Sequence, residues 1–156
     1  GEKQMRLFED FENVVGTYLK VVRFSEPPNP DGFVVLYLRP KDLFLFLGYW
    51  AGYERSVAAG QWTRDGTEIR LVGRGHLQTD TIPSPEGGGF ERTLMVEDDN
   101  RTPRLTASEG LKGWSLLSWA GPFVYVGQHT VIDPDGCWLP NSLSAVDARI
   151  GEILGA

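Results

Sequence analysis

The segment Gly60-Gln-Trp-Thr-Arg-Asp-Gly-Thr-Glu-Ile-Arg-Leu71 constrains the fold more than any other, because the pair Asp65-Gly66 separates two runs of alternating side-chain character. Asp-Gly supplies the positive φ angles of a tight hairpin turn, and the alternation on either side is that of strands with one buried face. The same punctuation recurs along the chain. Alternating or apolar runs at 17–24, 32–38, 43–50, 53–59, 61–64, 67–82, 90–97, 101–107, 114–119 and 123–132 read as strands, broken by turns such as Asp98-Asp-Asn100 and Ala120-Gly-Pro122. The loop Ser25-Glu-Pro-Pro-Asn-Pro-Asp-Gly32 fits neither a helix nor a central strand, and Gly73 and Gly75 mark bulges or corners in the longest run.

Helical periodicity is confined to the ends. Met5, Phe8, Phe11 and Val15 recur at spacings of three and four, which predicts a short amphipathic helix over 2–15. Val146, Ile150 and Leu154 share one face of a second helix over 141–154, with Ser144 and Asp147 at capping-box spacing and Gly155 as the stop. The runs 32–38 and 43–50 are apolar on successive residues, so both faces of these strands require cover. A terminal helix or a second subunit would supply it, and a homodimer through 33–50 follows from the second choice. About eight to ten strands in hairpin order, with a helix at each end, predict an all-β chain: one antiparallel barrel spanning 1–156, with a sandwich as the alternative.

Composition excludes several function classes. Lys plus Arg number 15 against 21 Asp plus Glu, a formal charge of −6 without a basic cluster, so nucleic acid is not an expected partner. Nineteen Gly and ten Pro suit short strands joined by tight turns. Cys137 is the single cysteine, so no intrachain disulfide or thiolate cluster forms, which fits a reducing, cytoplasmic setting. The apolar run 43–51 is too short to span a bilayer as a helix, and any targeting peptide is absent or already removed, so a soluble protein is expected. Asp133-Pro-Asp-Gly136 lacks the later oxygen ligands of a calcium loop and reads as a turn. Asn100-Arg-Thr102 satisfies a glycosylation sequon but precedes Pro103. No phosphate loop, dinucleotide fingerprint, zinc motif or nucleophile elbow is present, and no metal or cofactor is expected.

Gly16-Thr-Tyr18, followed by Gly60-Gln-Trp62 and Asp65-Gly66, resembles the Gly-x-aromatic opening and hairpin spacing of lipocalin-like barrels, mainly over 16–75. The chain departs from that pattern in having Tyr18 where Trp is usual, a Pro-rich first loop and no disulfide. The resemblance implies a cup for a small apolar molecule. Tyr49, Trp50, Tyr53, Trp62, Trp114, Trp119 and Tyr125 are the aromatic candidates for lining it. Two titratable groups sit among aromatics. Glu54, within Tyr49-Trp-Ala-Gly-Tyr-Glu-Arg55, is a candidate acid or base, against the ordinary reading of an outward Glu paired with a cation. His129 shares a strand face with Phe123, Tyr125 and Val131, and is either a second such candidate or a buried histidine satisfied by a neighbour, whereas His76 falls on a polar face. Three readings follow: a binding module for a small apolar or aromatic molecule, a cofactor-independent cyclase or isomerase using Glu54 or His129, and an assembly domain.

Overall fold

The computed structural model describes residues 13–22, 32–50, 53–77, 89–99, 102–108, 118–136 and 138–155. Eight strands, β1 (Gly16–Val22), β2 (Gly32–Arg39), β3 (Leu43–Trp50), β4 (Tyr53–Asp65), β5 (Glu68–Leu77), β6 (Gly89–Asp99), β7 (Thr102–Ala107) and β8 (Phe123–Gly127), form a closed barrel in sequence order. Every neighbouring pair is antiparallel, and β8 closes on β1 through Tyr18 opposite Tyr125 and Leu19 opposite Val124. Closure removes the free edges that an open sheet would expose.

Side-chain alternation divides the strands into an inner and an outer set. Tyr18, Val34, Leu36, Leu38, Phe44, Phe46, Ile69, Leu71, Leu94, Val96, Leu105 and Phe123 point inward and pack as one buried cluster. The outer set explains why β2 and β3 are apolar on both faces. Val35, Tyr37, Leu45, Leu47 and Tyr49 form a second buried layer with Val146 and Ile150 of the C-terminal helix α1 (Leu143–Gly155) and with half-buried Trp138. The chain therefore covers its own apolar strands: α1 lies mainly over β3 and β4, while over β2 Trp138 stacks on Phe33 at 4.7 Å and the Ile132 amide donates to the Tyr37 hydroxyl at 3.1 Å.

Hydrogen bonds fix that cover in place. Ser142 caps the helix, its Oγ accepting from the Ala145 amide at 3.1 Å and its carbonyl from the Val146 amide at 2.9 Å. Asp147, expected from its spacing to form a capping box with Ser144, instead binds the Arg39 guanidinium through both oxygens, at 2.8 and 3.0 Å. Trp138 stacks on Tyr49 with centroids 4.7 Å apart, and the Tyr49 hydroxyl donates to the Leu139 carbonyl at 2.7 Å. Gly136 closes the expected turn by donating its amide to Asp133 at 3.2 Å, and the Asp133 carboxylate accepts from the Trp138 amide at 2.8 Å.

Three boundaries differ from the sequence expectation. The runs 53–59 and 61–64 are one strand, because Gly60 lets β5 approach so closely that a Cβ on Gly73 would lie 2.0 Å from the Ala59 carbonyl oxygen. β8 stops at Gly127 rather than reaching residue 132: Gly127 takes φ +144, and Thr130 folds back to donate its hydroxyl to the Val126 carbonyl at 3.0 Å. Ser118 and Trp119 lie outside any strand, in the connection from β7 to β8. Of the expected N-terminal helix only 13–15 are described, and they are not helical. Its remainder, the loops 25–31 and 83–88, residues 114–117 and Cys137 lie outside the described residues.

Candidate functional site

Because successive strands alternate in direction, the connections β1–β2, β3–β4, β5–β6 and β7–β8 all leave one end of the barrel. The opposite end is closed by satisfied aromatic groups. Val14 is buried in the lumen cluster there, and the Tyr18 hydroxyl donates to its carbonyl at 2.7 Å. Tyr125 meets Tyr18 edge-on at 5.4 Å, and the Trp62 indole donates to the Arg39 carbonyl at 3.0 Å. Burial, reinforced by Tyr125, holds the Tyr18 phenol far above its usual range, so it serves as a neutral donor.

The first end is different in kind. Trp119, fully buried, projects into the lumen from the β7–β8 connection and stacks on Phe46 with centroids 4.4 Å apart and planes 8° from parallel. It also leans on Phe123 at 5.6 Å. On β6 the inward row that contains Leu94 and Val96 also contains Arg92, whose guanidinium carbon lies 5.7 Å from the centre of the Trp119 ring. On β1 the inward row of Tyr18 and Val22 contains Lys20. Its side chain reaches the same connection, since a Cβ on Gly121 would lie 3.7 Å from Lys20 Cε. Burial lowers the Lys20 pKa from its ordinary value. Ser118 is also fully buried, and its Oγ has no hydrogen-bond partner among the described residues. Arg92 thus lies over the indole, Lys20 reaches the connection at Gly121, and Ser118 buries its hydroxyl beside Trp119 in the chain.

The aromatic residues expected to line a single cavity are distributed over three places. Trp119 is in the lumen at this end. Trp50 follows Gly48 in the inward row of β3 and sits half-buried at the rim, while Tyr53 is 66% exposed beneath the Arg55 guanidinium. Trp62 and Tyr125 belong to the opposite end, and Tyr49 is on the outer face under Trp138. Trp114 lies outside the described residues.

Neither acid–base candidate faces the lumen. Between Ser56, opposite Gly48, and Glu54, opposite Tyr49, one residue of β4 is extra, and this bulge at Arg55 turns Glu54 to the outer face. There it accepts from Arg149 of α1 at 2.8 Å. Burial first, and then the Glu54 carboxylate, hold the Tyr49 phenol well above its usual range. His129 is exposed, two residues beyond the end of β8, so the inward face expected from an extended strand to residue 132 does not form. His76 lies on β5 opposite Val57. Glu54→Gln is expected to change stability by less than about 1 kcal/mol, as for other partly exposed ion pairs. Denaturant unfolding checks this.

No protein-family model, curated protein or solved structure matches the chain. The residues themselves therefore carry the functional reading. Lys20, Arg92 and Ser118 were not among the sequence candidates. A signal for the two cations is present in the alternation, because Lys20 has the parity of Tyr18 and Val22, and Arg92 that of Leu94 and Val96; Ser118 has no such signal. Among the described residues no group of three or more His, Cys, Asp or Glu is placed to hold a metal, and no helix is long and apolar enough to cross a membrane. Outside the barrel, Leu139, Pro140, Ala145, Ala148, Arg149 and Glu152 line an open groove of about 190 Å³. That is below the ~300–1,000 Å³ of ordinary small-molecule sites.

Proposed function

We propose that the protein is a small-molecule binding module in the manner of a lipocalin-like barrel, holding an apolar or aromatic molecule in the lumen at the end filled by Trp119. One observation carries this reading: the indole that fills this end comes from a connection and not from a strand. A side chain on a strand leaves the lumen only if the hydrogen-bonded ladder breaks. Trp119 leaves if the segment around 118–122 swings outward, and the barrel stays intact. Its stacked contact with Phe46 then becomes available to a flat or apolar ligand, which gains the same burial and ring contact that the indole gives up.

The reading predicts that the neutral probe N-phenyl-1-naphthylamine binds the wild-type protein in competition with Trp119. Probe emission should rise saturably, with one site per chain. Unchanged emission across the titration, for wild type and for Trp119→Ala alike, would overturn the proposal and leave an assembly or structural role for the domain.

A further inference from the structure

Resting on that binding reading, the surroundings of the Trp119 indole also specify the ring system that can take its place. We propose that the lumen selects a flat, electron-rich, fused-ring aromatic ligand of about indole size, seated against Phe46 and beneath the Arg92 guanidinium, over a saturated molecule of the same skeleton.

The chain's own indole shows what the slot accepts. It lies 8° from parallel to the fully buried Phe46 ring, with centroids 4.4 Å apart, a stacked contact that only a planar ring system reproduces. The inner wall beside Phe46 is low: Ala58 pairs with Phe46 on β4, and Gly75 pairs with Ala58 on β5. The adjacent strands therefore offer little side chain to cover the ring, and its face is left to the occupant of the slot. A saturated ring, puckered and with hydrogens on both faces, cannot lie as close to it.

Arg92 adds an electronic requirement. Its guanidinium carbon is 5.7 Å from the centre of the Trp119 ring, and the same guanidinium donates to the Glu91 carbonyl at 3.0 Å. That bond lies within β6, so it holds the cation in place whether or not the indole is beneath it. A cation over an aromatic face is attracted by the negative face of the ring quadrupole, which a saturated ring lacks, and the attraction needs no charge on the ligand.

The test compares 2-naphthol with decahydro-2-naphthol, which share a fused carbon skeleton and a hydroxyl, by isothermal titration calorimetry at neutral pH. Wild type is expected to bind 2-naphthol about tenfold or more tightly. Arg92→Met should narrow that preference about threefold or more, with near-ultraviolet circular dichroism confirming the fold. Arg92→Lys, which keeps a cation on the same row, should retain most of it and separates loss of charge from loss of packing. Equal affinity of wild type for the two molecules, or tighter binding of the saturated one, would overturn the aromatic slot while leaving the binding module standing. Binding of N-phenyl-1-naphthylamine without binding of either naphthol would do the same. Failure of all three to bind would overturn the binding module, and this inference with it. A preference undiminished in folded Arg92→Met protein would overturn the role of Arg92.

Discussion

Trp119→Ala is expected to lower the stability of the ligand-free protein by about 3–5 kcal/mol, the range for removing a large aromatic side chain from a packed interior. Trp119 is fully buried, stacks on Phe46, leans on Phe123 and lies beneath Arg92, so its loss leaves a void at the centre of several contacts. The same substitution should strengthen the binding of N-phenyl-1-naphthylamine by about tenfold or more. On the proposed reading the lumen of the wild type is open only in the fraction of molecules whose Trp119 has moved out, and apparent affinity falls by that fraction. Removing the indole removes the competition. At probe concentrations about a hundred times the dissociation constant, the ligand should restore about 2.7 kcal/mol of the lost stability. Urea unfolding with and without probe measures both effects. A variant that loses stability but gains no affinity would identify Trp119 as a core residue only.

The second large effect is on the outer face. Ile150→Asp places a carboxylate where Ile150 packs between α1 and the outer side of the strands, in the layer formed by Val35, Tyr37, Leu45 and Leu47. The loss of a buried aliphatic side chain, together with an unpaired charge in an apolar layer, is expected to cost about 4 kcal/mol or more. That is a large part of the roughly 5–15 kcal/mol that holds a domain folded. Detachment of α1 would expose apolar surface along β3 and β4, where Leu45, Leu47, Val57 and Ala59 lie in the outer layer, so self-association should accompany the loss of stability. Sedimentation velocity and thermal unfolding check this together, with Glu152→Gln, on the exposed side of the helix, as the control. A monomeric Ile150→Asp protein with an unchanged midpoint would show that α1 does not cover the barrel as described.

The architecture was largely legible because alternation and turn chemistry are local. Asp65-Gly66 and the period-two runs around it predict antiparallel strands without knowledge of their partners, and the doubly apolar runs at 33–50 demand a cover. The period of Val146, Ile150 and Leu154 identifies a helix able to supply it. What was not legible depends on single-residue offsets between partners. One extra residue at Arg55 moves Glu54 from the face of Ser56 to the face of Tyr49, and no feature of the sequence marks it. The turn at Gly127 shortens β8 and leaves His129 exposed, although residues 123–132 read as one strand. Trp119 does join the inner cluster, as an aromatic expected to line the lumen, but the chain at Ser118–Trp119 lies outside the sheet although its run looks extended. Lys20 and Arg92 read as solvent-facing strand cations until the parity of their rows, shared with Tyr18 and Leu94, is counted.

Intermolecular nuclear Overhauser effects between N-phenyl-1-naphthylamine and the methyl groups of the protein test the central claim most directly, since inner and outer methyls alternate along the same strands. Contacts to Leu36, Leu71 and Leu94, with a shift of the Trp119 indole resonance, are the result expected of a ligand that replaces Trp119 inside the barrel. Contacts confined to Val35, Leu47 and Leu139 on the outer face, with the Trp119 resonance unmoved, would contradict it.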